Sequence, residues 1–245
     1  MRIEISDLSK VFKDRTHALS HVNLFIENGV FGLIGPNASG KTTLLRILAT
    51  LWKPTEGGVT FDGRDMNKNR ARIRSITGYL PQRFSQFTRL TAREYLDYSA
   101  GLGGLFDKKR RQQEVDDMLE SLGLSEVVDV YANDLSVVNK RLLEIAQAVI
   151  SSPTILLVDE PTLGLSPEER IRFRNMLNVR SKKIDVIIMT SHILADISSN
   201  CDKLVVLNRG EVVYKGVPAD IPDQENRYEW FINGLKPGPE NKKPE

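Results

Sequence analysis

Residues 35–42 read Gly-Pro-Asn-Ala-Ser-Gly-Lys-Thr and match the phosphate-binding loop pattern G-x-x-x-x-G-K-S/T. An apolar, strand-like run at 30–34 precedes this loop, and a helix-like run at 43–48 follows it. Small residues in this context let successive backbone N–H groups converge on a phosphate, and the helix adds its positive dipole end. The stretch therefore predicts a nucleoside triphosphate site in which Lys41 neutralises phosphate charge and the Thr42 hydroxyl ligates Mg²⁺.

Short apolar runs alternate with helical patterns along the chain around this loop. The predicted strands cover residues 30–34, 76–80, 155–158, 185–190 and 203–207. The predicted helices between them cover residues 43–51, 167–179 and 194–200. Continuous Val, Ile and Leu runs between helices indicate a mainly parallel sheet with helices on both faces. The sequence therefore predicts an α/β fold with a P-loop NTPase core.

Two parts of the chain differ from this core. The first 30 residues and residues 57–62 are expected to form an antiparallel β subdomain. An α-helical subdomain of about residues 83–151 is expected to be inserted in the core, with helices predicted at 91–100, 108–122 and 137–150. We expect residues 1–220 to form one domain and residues 221–245 to form a partly disordered tail, because that tail is rich in Pro, Asn, Glu and Lys.

Composition excludes several classes of protein. The chain has 245 residues and 40% hydrophobic content, which is enough for a sizeable core. Its 34 basic and 32 acidic residues leave a formal charge of +2, so no nucleic-acid partner is expected. The single Cys201 excludes an internal disulfide framework and a cysteine metal site. No apolar stretch approaches the roughly 18 residues that span a bilayer, and a soluble chain is expected.

Two adjacent carboxylates, Asp159 and Glu160, end the apolar run Ile-Leu-Leu-Val at 155–158. Charge at the end of a buried strand is costly unless it is used. We expect Asp159 to hold Mg²⁺ opposite Thr42. Glu160 is expected to accept a proton from the attacking water.

These motifs resemble the nucleotide-binding subunit of ABC transporters over residues 1 to about 220. The resemblance rests on the phosphate loop, on Leu-Leu-Val-Asp-Glu-Pro-Thr at 156–162 and on Thr-Ser-His at 190–192. It implies that His192 contacts the γ-phosphate. It also implies that Gln82, within Tyr-Leu-Pro-Gln at 79–82, reaches the Mg²⁺ and the attacking water, and that Phe12 stacks on adenine.

The expected site residues fall into three groups. The catalytic group is Lys41, Gln82, Glu160 and His192. The metal group is Thr42, Gln82 and Asp159. The nucleotide-binding group is Phe12, Gly35, Pro36, Asn37, Ala38, Ser39, Gly40, Lys41, Thr42, Thr43 and Ser136.

The sequence departs from the family in the signature Leu-Ser-Gly-Gly-Gln, which one subunit offers to the nucleotide of the other. Residues 135–139 read Leu-Ser-Val-Val-Asn instead. Ser136 is still expected to cap the following helix and offer its hydroxyl to a γ-phosphate. Val137 and Val138 are expected to crowd that phosphate, because they replace glycines that permit close approach.

Two further departures concern single positions. The segment after the acidic strand, residues 161–166, lacks an Asp that the family carries there. Ala38 stands where the family often has glycine, and the alanine is expected to be tolerated if its φ stays negative.

The resemblance implies an ATP-binding and hydrolysing subunit, dependent on Mg²⁺, that drives a separate membrane permease. We expect an exporter-type single-domain subunit, cytoplasmic and peripheral on the inner face of the cell membrane. Its expected partners are permease subunits and a second nucleotide-binding subunit, with heterodimer and homodimer both open. The alternatives are a soluble ABC-type ATPase in DNA repair or translation and a non-hydrolysing regulatory subunit. The sequence identifies no transported substance.

Overall fold

Two β-sheets organise the chain in a computed structural model that describes residues 1–82, 89–181, 183–191 and 201–220. The larger sheet has six strands in the order β10-β9-β3-β8-β7-β6, and the smaller has four in the order β2-β1-β4-β5. The ten strands are β1 (Ile3–Val11), β2 (His17–Ile26), β3 (Gly29–Ile34), β4 (Glu56–Phe61), β5 (Arg64–Asp65), β6 (Thr77–Leu80), β7 (Ile155–Asp159), β8 (Val186–Ser191), β9 (Lys203–Asn208) and β10 (Glu211–Gly216).

Five strands of the larger sheet run parallel, and only β10 runs antiparallel, against β9. All five strands predicted from apolar runs are present in this sheet, so the predicted α/β core is confirmed. The antiparallel β subdomain is confirmed as well, because β1 pairs with β2 and with β4 in antiparallel register.

Six α-helices surround the sheets within the described ranges. They are α1 (Lys41–Leu48), α2 (Arg70–Ser75), α3 (Ala92–Leu102), α4 (Lys108–Ser121), α5 (Val137–Val149) and α6 (Pro167–Ser181), with short 3-10 turns at Ser125–Val127, Ala132–Asp134 and Pro218–Asp220. Helices α3, α4 and α5 lie between β6 and β7 in the sequence, which confirms the inserted helical part. The helix predicted at 194–200 lies outside the described residues. No helix in the described ranges is both long enough and apolar enough to cross a bilayer.

Alternating residues of the central strands place the core on both faces of the larger sheet. On one face, Leu156 and Val158 of β7 belong to a buried cluster with α3, α4, α5 and α6. On the other face, Ile155 and Leu157 pack in a second cluster with α1 and the antiparallel sheet. Because both faces are covered, the charged or polar groups of these strands can meet solvent only at the strand ends.

Three elements were not predicted. Helix α2 has six residues, Arg-Ala-Arg-Ile-Arg-Ser, and only Ile73 among them is buried, so it carries no apolar periodicity. Strand β5 has two residues. Strand β10 forms a hairpin with β9 around Arg209 and Gly210, both of which have positive φ.

That hairpin touches the phosphate-binding loop. The Gly210 amide donates to the Ser39 carbonyl at 3.0 Å, and the Ser20 amide of β2 donates to the Gly210 carbonyl at 2.9 Å. One hairpin residue therefore joins the loop to the antiparallel sheet.

Candidate functional site

The phosphate-binding loop joins the end of β3 to the start of α1 and encloses the Lys41 side chain. The Lys41 ammonium donates to the carbonyl oxygens of Gly35 at 2.7 Å and Pro36 at 3.0 Å, and the residue is 7% exposed. Burial lowers the pKa of Lys41, while the nearby carboxylates of Glu160 and Asp159 act in the opposite direction. The ammonium is therefore fixed in a pocket of backbone carbonyls and faces two acids.

Glycine is needed at both ends of the loop. A side chain at Gly40 would overlap the Ala18 carbonyl, and Gly40 also has φ +105° at the N-cap of α1. A side chain at Gly35 would overlap the Leu207 carbonyl of β9. No side chain among the described residues caps α1, and its first amides have no carbonyl partner within the helix, so its N-terminus is suited to bind an anion.

The condition set for Ala38 is not met, because its φ is +61° rather than negative. An alanine in this left-handed region costs about 1 kcal/mol relative to glycine, since its Cβ approaches the following carbonyl oxygen. The loop holds this conformation through contacts on either side: the Ser39 amide donates to the Pro36 carbonyl at 3.2 Å, and the Ser39 side chain is buried. This local bond and the hydrogen bond from the Gly210 amide to the Ser39 carbonyl hold Ala38 in a conformation that alanine does not favour by itself.

The Thr190 hydroxyl of β8 organises the acidic end of β7. It donates to Asp159 Oδ1 at 2.7 Å and accepts the Glu160 amide at 2.9 Å. Asp159 is fully buried, and its second carboxylate oxygen, Oδ2, has no hydrogen-bond partner among the described residues. Glu160 has φ +50°, so the backbone turns sharply between the two acids. One hydroxyl therefore fixes both residues at the point where the strand ends.

A cavity of about 450 Å³ brings most of the predicted residues together. Glu160 and Gln82 line it beside the loop, and the Phe12 ring lies at the same cavity. The Phe12 ring also packs edge-on against Trp52, with 5.2 Å between ring centroids. The cavity is lined by Phe12, Thr16, His17, Ala18, Asn37, Ala38, Ser39, Gly40, Lys41, Thr42, Thr43, Gln82 and Glu160.

The predicted cap of α5, the signature helix, is confirmed. The Ser136 hydroxyl accepts the Asn139 amide at 3.1 Å at the start of α5. Val137 directly follows this cap and is 83% exposed. The start of α5 therefore presents an apolar side chain outward. His192 lies outside the described residues, so its predicted role stays a prediction.

Several residues of the site were not singled out from the sequence. Thr16, His17 and Ala18 line the cavity because β2 runs past the loop, a neighbourhood that only the sheet creates. Thr190 entered the sequence analysis only as part of the Thr-Ser-His motif. Its position at the end of a predicted strand could have indicated a contact with the acidic end of β7. Arg141 hydrogen-bonds the carbonyls of both Asp159 and Glu160, and nothing in its local sequence indicates this.

A mainly parallel sheet with a glycine-bounded loop between β3 and a helix, and with two acids at the end of β7, two strands away from β3, defines a P-loop nucleotide-binding domain. The model of one family, described as ABC transporter, matches residues 19–163, which is more than half of the chain. The chain belongs to the ABC transporter family, as an ATP-binding subunit.

Relatives of known name agree with this assignment. The ABC transporter ATP-binding protein NatA of Bacillus subtilis is 32% identical over 228 residues, with 91% of this chain and 92% of that protein covered. The methionine import ATP-binding protein MetN of Corynebacterium diphtheriae is 35% identical over 224 residues, covering 88% of this chain and 66% of that protein. The probable multidrug ABC transporter ATP-binding protein YbhF of Escherichia coli is 31% identical, covering 91% of this chain and 38% of that protein.

Solved structures share the fold. The structure of an ATP-binding subunit of an ABC transporter superposes with a TM-score of 0.82 and 25% identity, covering 96% of this chain and 95% of that chain. The dimeric structure of MJ0796, a bacterial ABC transporter cassette, superposes with a TM-score of 0.81 and 25% identity, covering 88% of this chain and 98% of that chain.

Proposed function

We propose that this chain binds and hydrolyses MgATP in the cavity beside the phosphate-binding loop and thereby drives a separate membrane permease. The observation that carries the proposal is the lining of one cavity by Lys41, Gln82 and Glu160. A phosphate-neutralising ammonium, a polar amide and a carboxylate at one phosphate site are the groups that phosphoryl transfer to water uses.

Three segments of the chain supply residues that could hold Mg²⁺. The buried Oδ2 of Asp159 has no hydrogen-bond partner in the described part of the chain, and such a carboxylate oxygen can accept from a hydrated cation or bind the cation itself. Thr42, in the first turn of α1, supplies a hydroxyl, and Gln82 supplies an amide oxygen. Bound Mg²⁺ would neutralise charge on the β- and γ-phosphates. Three side chains plus substrate phosphates suit this ion, which prefers to keep several waters.

The catalytic roles follow from position. Glu160 lines the cavity and is 5% exposed, so a water beside the γ-phosphate can give its proton to this carboxylate. Lys41 stabilises the charge that develops on the transferred phosphoryl group. Gln82 orients the attacking water, and His192 is assigned to the γ-phosphate from its motif. Phe12 stacks on the adenine, since its ring lines the same cavity.

Removing the metal should stop turnover. With Mg²⁺ present, the purified protein is expected to release phosphate from ATP, and EDTA in excess should lower the rate by at least about 100-fold because phosphate charge is no longer neutralised. Phosphate release is measured by a coupled assay, and restoring Mg²⁺ should restore the rate. ATP binding without any Mg²⁺-dependent turnover would instead favour the non-hydrolysing regulatory subunit.

For the oligomer we propose pairing with a different nucleotide-binding chain that carries an intact signature. The 83% exposed Val137, next to the Ser136 cap, supports this pairing, because a branched side chain there reduces the room for an opposing phosphate. This chain would then keep one competent site and offer its partner a degenerate one. A slow homodimer that tolerates valine is the alternative.

Restoring the glycines tests the crowding argument. Val137→Gly with Val138→Gly should raise ATP turnover of the isolated protein roughly tenfold, because relief of overpacking is worth about 1–3 kcal/mol. Steady-state kcat is measured alongside the oligomeric mass. Val179→Gly is the matched control, since Val179 is a 70% exposed helical valine on α6. A parent homodimer that turns over as fast as the glycine variant contradicts the crowding argument.

The direction of transport is proposed to be export. Similarity to the YbhF protein supports export, while MetN, at 35% identity, is an import protein. We propose that the chain works at the inner face of the cell membrane through its permease. ATP-driven movement of substrate in vesicles containing the permease fixes the direction. ATPase activity stimulated by DNA or ribosomes, and not by a permease, would instead favour a role in repair or translation.

A further inference from the structure

Arg141 is a buried cation on the signature helix, five residues beyond the Ser136 cap. Its side chain is 9% exposed, and that of its neighbour Glu144 is 8% exposed. The two form an ion pair, with 2.9 Å between Arg141 Nη1 and Glu144 Oε2. Burial raises the pKa of Glu144, and hydrogen bonding to Arg141 opposes that rise. This pair is largely buried, and an unmatched charge in such a place destabilises the fold.

The rest of the guanidinium reaches the end of the acidic strand. Nη2 donates to the Asp159 carbonyl at 3.2 Å and to the Glu160 carbonyl at 2.9 Å. Nε lies 3.4 Å from the Pro161 carbonyl. A single side chain of α5 thus holds the backbone carbonyls of three successive residues. Two of these residues are Asp159 and Glu160, whose carboxylates are proposed to hold Mg²⁺ and to activate water.

The same guanidinium also holds the start of the glutamine segment. Nη1 donates to the Pro81 carbonyl at 2.9 Å, and Pro81 directly precedes Gln82. Helix α5 also packs closely on β6, where a side chain at Gly78 would overlap the Ala148 carbonyl. Helix α5 therefore contacts the segment that carries Gln82 and the segment that carries Glu160.

We propose that Arg141 is a positioning residue that couples the signature helix to the catalytic segments of the same chain. The inference rests on the proposed function. In the proposed dimer, the start of α5 would face the nucleotide of the partner, whereas Gln82 and Glu160 would act on the chain's own nucleotide. Arg141 joins α5 to the segments of Gln82 and Glu160. A displacement of Gln82 or Glu160 on ATP binding is therefore passed to α5, and a displacement of α5 is passed to these two residues.

Arginine is suited to this task and lysine is not. A guanidinium is planar and offers five donors in a fixed fork, so it can hold several carbonyls and one carboxylate at once. An ammonium offers three donors at a single point on a flexible stem. Lysine can therefore replace the charge beside Glu144 but only part of the carbonyl contacts.

The test compares four variants of the full chain. Arg141→Met together with Glu144→Leu removes the buried pair without leaving a lone charge, which protects folding. Arg141→Lys is the conservative variant. Arg111→Met is the matched control, because Arg111 also bonds a carboxylate, Asp97, and a carbonyl, that of Leu105, but only within α3, α4 and their connection. Lys41→Ala marks loss of the nucleotide site itself.

Two readouts separate coupling from a merely structural role. The double variant should keep its ATP affinity while kcat falls about 100-fold, as misplacement of a catalytic group by 1 Å can cause. Arg141→Lys should recover part of kcat, and Arg111→Met should match the parent. In the parent, ATP should change hydrogen exchange at the Asn139 and Lys140 amides of α5, and this response should vanish in the double variant.

The outcomes that overturn the inference are distinct from failure of the proposed function. A folded double variant with parental kcat, or with the same ATP response in α5 as the parent, overturns the coupling role. An α5 helix that does not respond to ATP in the parent overturns it as well. If the parent binds ATP no better than the Lys41→Ala variant, the proposed function is overturned. The coupling proposal then fails with it.

Discussion

Glu160→Gln is expected to leave ATP binding intact and to lower kcat by about 100-fold to 10,000-fold, the range that a general base supplies. Glutamine has nearly the shape of glutamate but cannot accept a proton from water. The Glu160 amide would still donate to Thr190 Oγ1 and its carbonyl would still accept from Arg141, because both are backbone groups. The geometry of the strand end should therefore survive, and only the proton acceptor is lost.

The measurement pairs an ATP binding isotherm with single-turnover phosphate release. Glu168→Gln serves as the control, since the Glu168 side chain is 76% exposed on α6 and should not alter either quantity. Unchanged phosphate release in Glu160→Gln would assign proton acceptance to another group. A parallel loss of ATP affinity would instead indicate that Glu160 contributes to binding.

Lys41→Ala is expected to lower the nucleotide affinity by tens to thousands of fold. Its ammonium is held by the carbonyls of Gly35 and Pro36 and is nearly buried, so the substitution removes a preorganised cation from the phosphate site. Truncating one member of a buried charge pair costs about 2–5 kcal/mol, which corresponds to a loss of affinity from tens to thousands of fold. Isothermal titration calorimetry with ATP in Mg²⁺ buffer gives the affinity directly.

The control for this variant is Lys203→Ala. Lys203 begins β9 at the opposite end of the strands from the loop, and its side chain is 50% exposed and 3.7 Å from Glu27. Loss of a surface ion pair of this kind changes little. An ATP affinity in Lys41→Ala within a few fold of the parent would show that the backbone amides of the loop bind the phosphates without the ammonium.

Much of the core was predictable because its signals are local. Continuous apolar runs marked the central strands, and a strand–loop–helix pattern marked the site of Lys41. The end of β7 was recognisable as functional because adjacent Asp159 and Glu160 follow four apolar residues. Parallel pairing then brings such strand ends to one edge of the sheet, so the cavity followed from pattern and topology together.

What sequence reasoning missed depends on contacts between distant segments. The positive φ of Ala38 is imposed by packing, and local propensity argues for the opposite. Thr190 is 31 residues from Asp159 and meets it only because β7 and β8 pair in parallel. Arg141 acts through carbonyl groups, which every residue has, so no side-chain pattern could indicate its partners. The roles of Ser136, Val137 and Val138 toward a second subunit stay predictions.

The hydrogen bond between Gly210 and Ser39 links the motif to a residue 171 positions later. Strand β9, the first strand of the hairpin that contains Gly210, pairs with the β3 residues that lead into the motif, and its Leu207 carbonyl lies where a Gly35 side chain would be. A nascent chain of which only the first 200 residues have left the ribosome therefore contains the complete motif but lacks β9 and Gly210, which contact it. A polypeptide cut off before residue 201 would keep the phosphate-binding motif but would lack β9 and Gly210, whose contacts hold the loop in shape.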